Sequence, residues 1–269
     1  MDKPRTTPPT APVPASPATP STTSSATPLA ALLDAAERIP GAAALRRHSY
    51  ELLRAGADTT VVDIGCGTGT AVAELSARGA RVVGADLDAR MVAVARERLP
   101  GADIRRADAY ALPFPDHSLH GYRADKVFHA LADPAAALRE ARRVLIPGGR
   151  AVLIGQDWDT FVIDSDDPAL TRTVVHARAG TVPSPRAARR HRNLLLDAGF
   201  DDVVAEVRTA VLTDAAALPM LTGLAAAARD TGPLTAGEAS AWTADQRARA
   251  RTGRLFLALP LFVAVGTAP

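Results

Sequence analysis

The chain has 269 residues, of which 47% are hydrophobic and 22% are charged, a composition that supports a sizeable core and excludes wholesale disorder. The formal net charge of +2 is too small to indicate a nucleic-acid partner by itself, and no stretch reaches the ~18 uninterrupted apolar residues of a membrane span. The single cysteine excludes an intrachain disulfide framework and favours a reducing, cytoplasmic location.

The first 28 residues are rich in Pro, Thr, Ser and Ala and include eight prolines. Such a segment buries too little apolar surface to offset the entropy of ordering it, so residues 1–28 are predicted to be a disordered tail. The rest of the chain, residues 29–269, is predicted to form one domain. Residues 29–56 open this domain with two helices that are separated by Pro40 and Gly41.

Strands and helices alternate through residues 57–156, the predicted core of the domain. The β-branched run 59–64 is followed by further predicted strands at 81–86, 102–106, 119–124 and 150–155, with helices at 71–78, 89–99 and 134–145. Parallel strands need crossover helices of this length. The pattern therefore predicts an α/β fold with a doubly wound, mostly parallel seven-stranded sheet, to which N-terminal and inserted lid helices are added.

Residues 157–253 depart from a minimal unit of this kind and are expected to supply substrate and lid insertions. An irregular insert is predicted at 157–185, then a helix at 186–198, a sixth strand at 202–212, and helices at 215–229 and 236–251. Thr235 and Glu238 have the spacing of a capping box at the start of the last helix. Residues 254–269 are expected to contribute the closing strand.

The first strand of the core runs directly into a glycine-rich turn. Residues 63–69 have the sequence Asp-Ile-Gly-Cys-Gly-Thr-Gly, so that alternating glycines follow an acidic side chain. Glycine allows positive φ and lets a ligand approach the backbone with no Cβ in the way. The alternative is a tight strand-to-helix turn that binds nothing, and the residues around the loop decide between the two.

Two features around the loop favour a ligand and narrow its class. A dinucleotide fingerprint needs a small residue where this chain has Thr70, and Asp63 is unfavourable beside a pyrophosphate but suits an amino group. Asp86 ends the second strand about 20 residues later, where a carboxylate can accept from both ribose hydroxyls. Capping of the next helix is better assigned to Asp88. A nicotinamide-dependent oxidoreductase is therefore a disfavoured alternative.

On these residues the chain resembles the class I S-adenosylmethionine-dependent methyltransferases, in particular the group acting on small molecules and quinones. Four segments match in the order of the family's motifs: residues 63–69, 83–86, 107–116 and 143–149. The resemblance covers residues 59–155 and implies S-adenosyl-L-methionine as the cofactor.

The resemblance also implies roles at the methionine end of the cofactor. Asp63 would reach the ammonium group directly or through water, and Ala124, after the fourth strand, would face the methionine. The loop backbone that would surround the methionine and ribose belongs to Gly65, Cys66, Gly67 and Gly69. Tyr50, on the helix before the first strand, is a candidate to close over the cofactor carboxylate, with simple packing as the alternative.

At the adenosine end the implied contacts come from the ends of the second and third strands. Asp86 would bind the ribose hydroxyls and Leu87 would pack on the adenine. Asp108 would accept a hydrogen bond from the adenine amino group, with the amide of Ala109 nearby.

Methyl transfer from a sulfonium depends mainly on positioning the nucleophile and excluding water, and a general base adds roughly 10²- to 10⁴-fold when the acceptor must lose a proton. His129, just beyond the fourth strand, is predicted to point toward the transferable methyl, and Asp157 lies just past the fifth strand. The alternatives are a half-buried helix histidine and a solvated acidic loop.

The sequence thus predicts methyl transfer to a small-molecule acceptor, and no Cys/His cluster has the spacing of a metal site. A cofactor-binding protein of the same fold that does not methylate, such as a cyclase, is the alternative. Arginine clusters at 186–192 and 247–254 are expected to be solvated helix faces rather than a surface for RNA phosphates. Neither the acceptor nor the oligomeric state is indicated.

Overall fold

The computed structural model describes residues 28–269, so residues 1–27 of the predicted tail lie outside the described residues. Pro28, which the composition assigned to the tail, begins the first helix. The helices are α1 (Pro28–Glu37), α2 (Ala42–Leu53), α3 (Thr70–Ala77), α4 (Ala89–Arg98), α5 (Pro134–Val144), α6 (Pro168–Ala179), α7 (Ala187–Asp197), α8 (Leu218–Asp230) and α9 (Ala236–Arg251). The strands are β1 (Thr60–Ile64), β2 (Arg81–Asp86), β3 (Asp103–Arg106), β4 (Leu119–Asp125), β5 (Leu145–Gln156), β6 (Val162–Ile163), β7 (Asp201–Leu212) and β8 (Leu257–Thr267).

The strands form one sheet in the order β3-β2-β1-β4-β5-β8, with β6 and β7 also paired to β8. Strands β1 to β5 are parallel to their neighbours, whereas β8 runs antiparallel to β5, β6 and β7. The predicted doubly wound, mostly parallel sheet is therefore confirmed. The two-residue strand β6 is an eighth strand that the sequence pattern did not indicate.

Side chains that alternate along the central strands build a core on each face of the sheet. Val61 and Val152 pack on one face with α2, α3, α6, α8 and α9, while Val62 and Leu153 pack on the other face with α5 and α7. Because both faces are covered, β1, β4 and residues 151–156 of β5 are buried almost throughout. Within residues 28–269 no helix combines the length and the apolar character needed to cross a membrane.

The predicted irregular insert at 157–185 is wrong in its middle, where α6 forms. The Asp167 side chain accepts a hydrogen bond from the Leu170 amide, and Pro168 occupies the first helical turn. Proline is favourable there because its missing N–H has no partner within the helix. Val174 and Val175 on one side of α6 are buried against the core. The predicted capping box at the start of α9 is confirmed, with Thr235 and Glu238 bonded in both directions.

Candidate cofactor site

The glycine-rich loop between β1 and α3 has the backbone that its sequence predicts. Gly65 and Gly67 have φ of +62° and +53°, the left-handed region that glycine adopts without a steric penalty. A Cβ on Gly65 would lie 2.5 Å from Cγ2 of Val127, so only glycine fits. The Cys66 amide donates to the Ala85 carbonyl over 3.1 Å, which holds the loop against the end of β2.

A cavity of about 620 Å³ lies beside this loop, at the carboxyl ends of β3, β2, β1 and β4. The ligand sites of open α/β sheets lie at this edge. Eight of the residues predicted to bind the cofactor line it: Asp63, Gly65, Cys66, Gly67, Asp86, Leu87, Asp108 and Ala109. The other predicted site residues are not in its lining: Tyr50, Gly69, Ala124, His129 and Asp157.

Asp86 joins the loop to the end of β2. Its carboxylate accepts hydrogen bonds from the amides of Gly67 and Asp88, each 2.9 Å long. Asp88 in turn caps α4 by accepting from the Arg90 amide at 2.8 Å, as the sequence predicts. Asp86 is thus free of the capping role and partly exposed to the cavity, where further lone pairs can accept from a ligand.

At the next strand end, Asp108 and Leu87 flank the same part of the cavity. The Asp108 carboxylate accepts from the Tyr110 amide over 3.0 Å, which orients it at the cavity wall. Leu87 is 60% exposed and lies in the cavity wall. Leu87 offers an apolar surface to a flat ligand group. The carboxylates of Asp86 and Asp108 offer hydrogen-bond acceptors to the polar edge of that group.

At the opposite end of the cavity, Asp63 has a partner that the sequence did not indicate. Its Oδ1 accepts from Nη1 of Arg123 over 2.7 Å. Arg123 also donates to Asp125 over 2.8 Å and to Oγ of Ser49 over 2.9 Å. One oxygen of Asp63 is therefore bonded to a guanidinium, and the expected contact of this carboxylate with a ligand ammonium stays a prediction.

This charged cluster continues to the cavity surface. Nζ of Lys126 donates to the other oxygen of Asp125 over 2.9 Å. Burial would raise the pKa of Asp125, but the charges of Lys126 and Arg123 outweigh burial and hold that pKa below its ordinary value. Burial likewise would lower the pKa of Arg123, but Asp63 and Asp125 raise it. These shifts favour the charged forms of Asp125 and Arg123, whereas burial raises the pKa of Asp63 above its ordinary value.

Three predicted cofactor contacts lie outside the cavity because other elements engage or cover them. The Tyr50 hydroxyl donates to Glu74 over 2.8 Å, and its ring packs under the guanidinium groups of Arg78 and Arg123. Ala124 is fully buried. Gly69 faces α4, where a Cβ would meet the Leu99 side chain at 2.7 Å.

The structure also separates His129 from the cavity. Its ring packs edge-on against Trp158 at 5.4 Å between centroids, and its Nδ1 is buried. Burial and the nearby charges of Arg178 and Lys126 lower its pKa to about 4. A histidine with this pKa is neutral near pH 7 and a weak base, so the predicted orientation toward a methyl donor needs correction.

Asp157, the second candidate base, has a structural role instead. Its carboxylate is fully buried and accepts from Nη2 of Arg189 over 2.7 Å and from the Asp159 amide over 3.0 Å. These bonds hold the chain that leaves β5 against α7. Arg186 binds Asp159 in the same way, and Arg249 binds Asp164, Asp166 and Asp245. Arg186 and Arg189 of the first arginine cluster and Arg249 of the second are thus engaged within the chain.

Sequence reasoning missed part of the cavity wall. Helix α1 covers the cavity through Leu29, Leu33 and Ala36, and α1 is fixed by a bidentate pair between Asp34 and Arg98 with bonds of 2.8 and 2.9 Å. The other charged lining residues that were not predicted for the site are Glu37, Arg46, Asp88, Arg123, Asp125 and Lys126. A signal was present for α1, because its leucines recur at helical spacing.

Comparison with known proteins agrees with this geometry. The family model described as a methyltransferase domain matches residues 62–153, from within β1 to within β5. An uncharacterized 37.1 kDa protein in transposon TN4556 from Streptomyces fradiae is 36% identical over 219 residues, which are 78% of this chain and 62% of that protein. A demethylmenaquinone methyltransferase from Thermus thermophilus is 40% identical over 115 residues, which are 40% of this chain and 52% of that enzyme.

Among solved structures, the [4+2]-cyclase SpnF is similar with a TM-score of 0.53 and 22% identity over 85% of this chain and 81% of that chain; this likeness shows the fold alone. The chain spans about half to three fifths of the length of the two curated relatives described above. Residues 62–153 thus match a methyltransferase domain, and the sheet order and the glycine loop agree with the similarity to S-adenosylmethionine-dependent methyltransferases.

Proposed function

We propose that the protein transfers a methyl group from S-adenosylmethionine to a small, largely apolar acceptor. The observation that carries the proposal is the cavity of about 620 Å³ whose wall combines the glycine loop with Asp63, Asp86 and Asp108 at three successive strand ends. A loop with no ligand would need neither the open space nor these carboxylates. The cavity is also within the range of 300–1,000 Å³, which is typical of small-molecule sites.

The residues present fit the cofactor on chemical grounds. Asp86 and Asp108 offer acceptor oxygens for hydroxyl and amino groups, and Leu87 offers an apolar surface for the adenine. Gly65 and Gly67 leave the loop open to close approach. At the other end, Asp63 and Asp125 surround Arg123 and provide carboxylate oxygens for an ammonium group. The bound cofactor supplies a methyl on a sulfonium, a good leaving group for in-line displacement.

The space beyond Lys126 supports the assignment of an apolar acceptor. A smaller space of about 30 Å³ shares Ala36, Glu37, Arg46, Asp125 and Lys126 with the main cavity. Its other walls are mostly apolar: Ile39, Pro40, Leu45, Ala210, Leu259 and Leu261. An apolar wall next to the methionine end favours a hydrophobic acceptor. Helix α1 over the cavity excludes water, which otherwise competes with the acceptor as a nucleophile.

Calorimetry with S-adenosylhomocysteine and with NAD tests the cofactor assignment. We expect binding of S-adenosylhomocysteine and none of NAD, and the reverse result would overturn the proposal. Asp86→Ala should weaken S-adenosylhomocysteine by roughly 2–4 kcal/mol, because charge-assisted hydrogen bonds contribute about 1.5–3 kcal/mol each and do not add fully. Asp103→Ala is the matched control, since this exposed aspartate lies at the far end of β3 and pairs with Arg105.

Product analysis tests the transfer itself. Mass spectrometry of ligands retained by the purified protein can identify the cofactor and a candidate acceptor together. Incubation with S-adenosylmethionine and that acceptor should yield S-adenosylhomocysteine and a product heavier by one methylene unit. A rearranged product of unchanged mass, with no S-adenosylhomocysteine, would favour a cyclase instead.

A further inference from the structure

Lys126 is unusual for this chain both in its residue type and in its backbone conformation. It is one of two lysines in a chain that has 29 arginines. Its φ is +60°, a conformation that is unfavourable for residues with a Cβ and is retained mainly where the surroundings enforce it. Its amide donates to the Ile154 carbonyl over 2.8 Å, which fixes the turn after β4. Of the non-glycine residues described with positive φ, Lys126 is the one in the cavity wall.

Exposure separates Lys126 from the two arginines of the same wall, because its side chain is 33% exposed, against 10% for Arg46 and 3% for Arg123. All three nitrogens of Arg46 donate to Glu37 or Glu74, and all three of Arg123 donate to Ser49, Asp63 or Asp125. The Lys126 ammonium has three N–H groups, and one of them donates to Asp125. Among residues 28–269 no second acceptor is bonded to Nζ, so two N–H groups can bind a ligand.

The position of Lys126 indicates which ligand this is. The residue lines both the main cavity and the smaller apolar space, and therefore lies where the methionine end of the cofactor meets the acceptor. An ammonium that is half enclosed by apolar walls interacts strongly with an anion, because the local dielectric constant is low.

We propose that Lys126 binds the ionised hydroxyl of the acceptor, and that the acceptor is an apolar molecule with an acidic hydroxyl, such as a phenol or an enol. This inference rests on the methyl transfer proposed above. The acceptor hydroxyl loses its proton to solvent before transfer. The new bond joins the acceptor oxygen to the methyl carbon, and the bond from that carbon to sulfur breaks. Its electron pair stays on sulfur as a neutral thioether, while Lys126 keeps its protons.

The other charged or titratable groups around Lys126 are satisfied within the chain. Glu37 is paired with Arg46 and Asp63 with Arg123, while Asp125 is shared between Arg123 and Lys126. The low pKa of His129 leaves that ring neutral near pH 7. The charged or titratable groups that surround Nζ and would interact electrostatically with a bound oxyanion are Glu37 on α1, Arg46 on α2, Asp63 on β1, Arg123 and Asp125 on β4, and His129 after β4.

A coloured phenol tests the inference without turnover. The probe is 4-nitrophenol, whose ionised form absorbs visible light, titrated against protein saturated with S-adenosylhomocysteine over a range of pH. The variants are Lys126→Met, which removes the charge, Lys126→Arg, which keeps it, and Lys126→Gly, which removes the charge while relaxing the backbone. Arg139→Met is the matched control, because this arginine is exposed on α5 and outside the cavity wall.

We expect wild type, Lys126→Arg and Arg139→Met to bind the phenolate and to lower the pKa of the bound phenol. Lys126→Met and Lys126→Gly should bind it at least about tenfold more weakly, the loss of one charge-assisted hydrogen bond, when each protein is kept saturated with S-adenosylhomocysteine. Phenolate binding by Lys126→Met at wild-type strength would overturn the inference. Wild type that binds S-adenosylhomocysteine but not the phenolate would overturn it as well. Failure of every protein to bind S-adenosylhomocysteine would instead reject the proposed function.

Discussion

Arg123 and Asp63 meet in a 2.7 Å hydrogen bond between two side chains that are each only 2% exposed. Asp63 ends β1 beside the glycine loop, and Arg123 lies opposite it on β4, in direct register. Asp125, two residues further along β4, points to the same face because side chains alternate along a strand. One guanidinium therefore connects the cofactor loop with the strand that leads to Lys126.

Replacing Arg123 by Met should destabilise the protein strongly. Removing one member of a buried ion pair leaves Asp63 and Asp125 without their common partner, and such losses amount to about 3–5 kcal/mol. The free energy of unfolding in urea measures the effect. The double variant Arg123→Met with Asp63→Asn should recover part of it, because one uncompensated charge is then absent. A loss below about 1 kcal/mol in the single variant would show that water reaches these carboxylates.

Gly65→Ala should abolish tight cofactor binding and lower the melting temperature. The added Cβ would be forced into a left-handed backbone and lie 2.5 Å from Val127 Cγ2, for which strain and overpacking each amount to roughly 1–3 kcal/mol. Adding Val127→Ala should restore stability in part by removing the clash, but not the backbone strain. Equal melting temperatures for the single and double variants would show that a Cβ on Gly65 does not meet Val127, which would contradict the described position of the loop.

Loosening α1 should speed the release of S-adenosylhomocysteine. The Asp34–Arg98 pair joins α1 to α4 at the surface, and exposed pairs contribute about 0.2–1 kcal/mol. Stopped-flow displacement should therefore show Arg98→Met releasing the ligand up to about fivefold faster than wild type. Added salt should accelerate wild type but not the variant, because ions screen the pair. Identical rates at low salt would mean that α1 does not retain the ligand.

The buried His191 and the partly buried His129 should make the protein less stable at mildly acidic pH. Burial is the main cause that lowers the pKa of His129 to about 4 and of His191 to about 3, from about 6.5 in the unfolded chain. The unfolded state therefore binds more protons below pH ~6.5, so stability is complete above that pH and falls as the pH drops toward 4.

Each histidine should contribute a slope of about 1.4 kcal/mol per pH unit in the middle of this window. Urea unfolding at a series of pH values measures it, and His191→Leu should remove about one such contribution. His176→Leu is the control, because this histidine is exposed on α6. A wild-type stability that stays constant between pH 6 and 4.5 would show that both rings accept protons in the folded state.

The sequence predicted the cofactor half well because its information is local. At residues 63–69 the glycines and the acidic residue are adjacent in the chain to the strand and the helix that flank the loop. Every feature that defines this loop can therefore be found within one short segment. Asp86 and Asp108 follow the same logic, because each simply ends a strand. The prediction of an irregular insert at 157–185 was wrong although the signal was local as well. Asp167 and Pro168 indicate the start of a helix, but the acidic composition of the segment obscured them.

The charged wall of the cavity could not be predicted in the same way. Arg123 and Asp125 are separated by one residue, which indicates a shared face of β4, but nothing near them in the chain identifies Asp63 or Ser49 as partners. The orientation of Tyr50 depends on Glu74, and the isolation of His129 depends on Trp158, 29 positions away. Such side chains are placed by tertiary packing rather than by their own segment.

The position of β8 in the sheet affects the order in which the two halves of the molecule can fold. This strand inserts between β5 and β7, yet it follows both of them in the chain. During synthesis β1 to β4 can pair as they emerge, whereas β5 and β7 have no strand between them until residues 257–267 leave the ribosome. The acceptor wall at Leu259 and Leu261 is therefore completed after the cofactor loop. A chain interrupted before β8 would carry two unpaired strand edges, which are sites of aggregation.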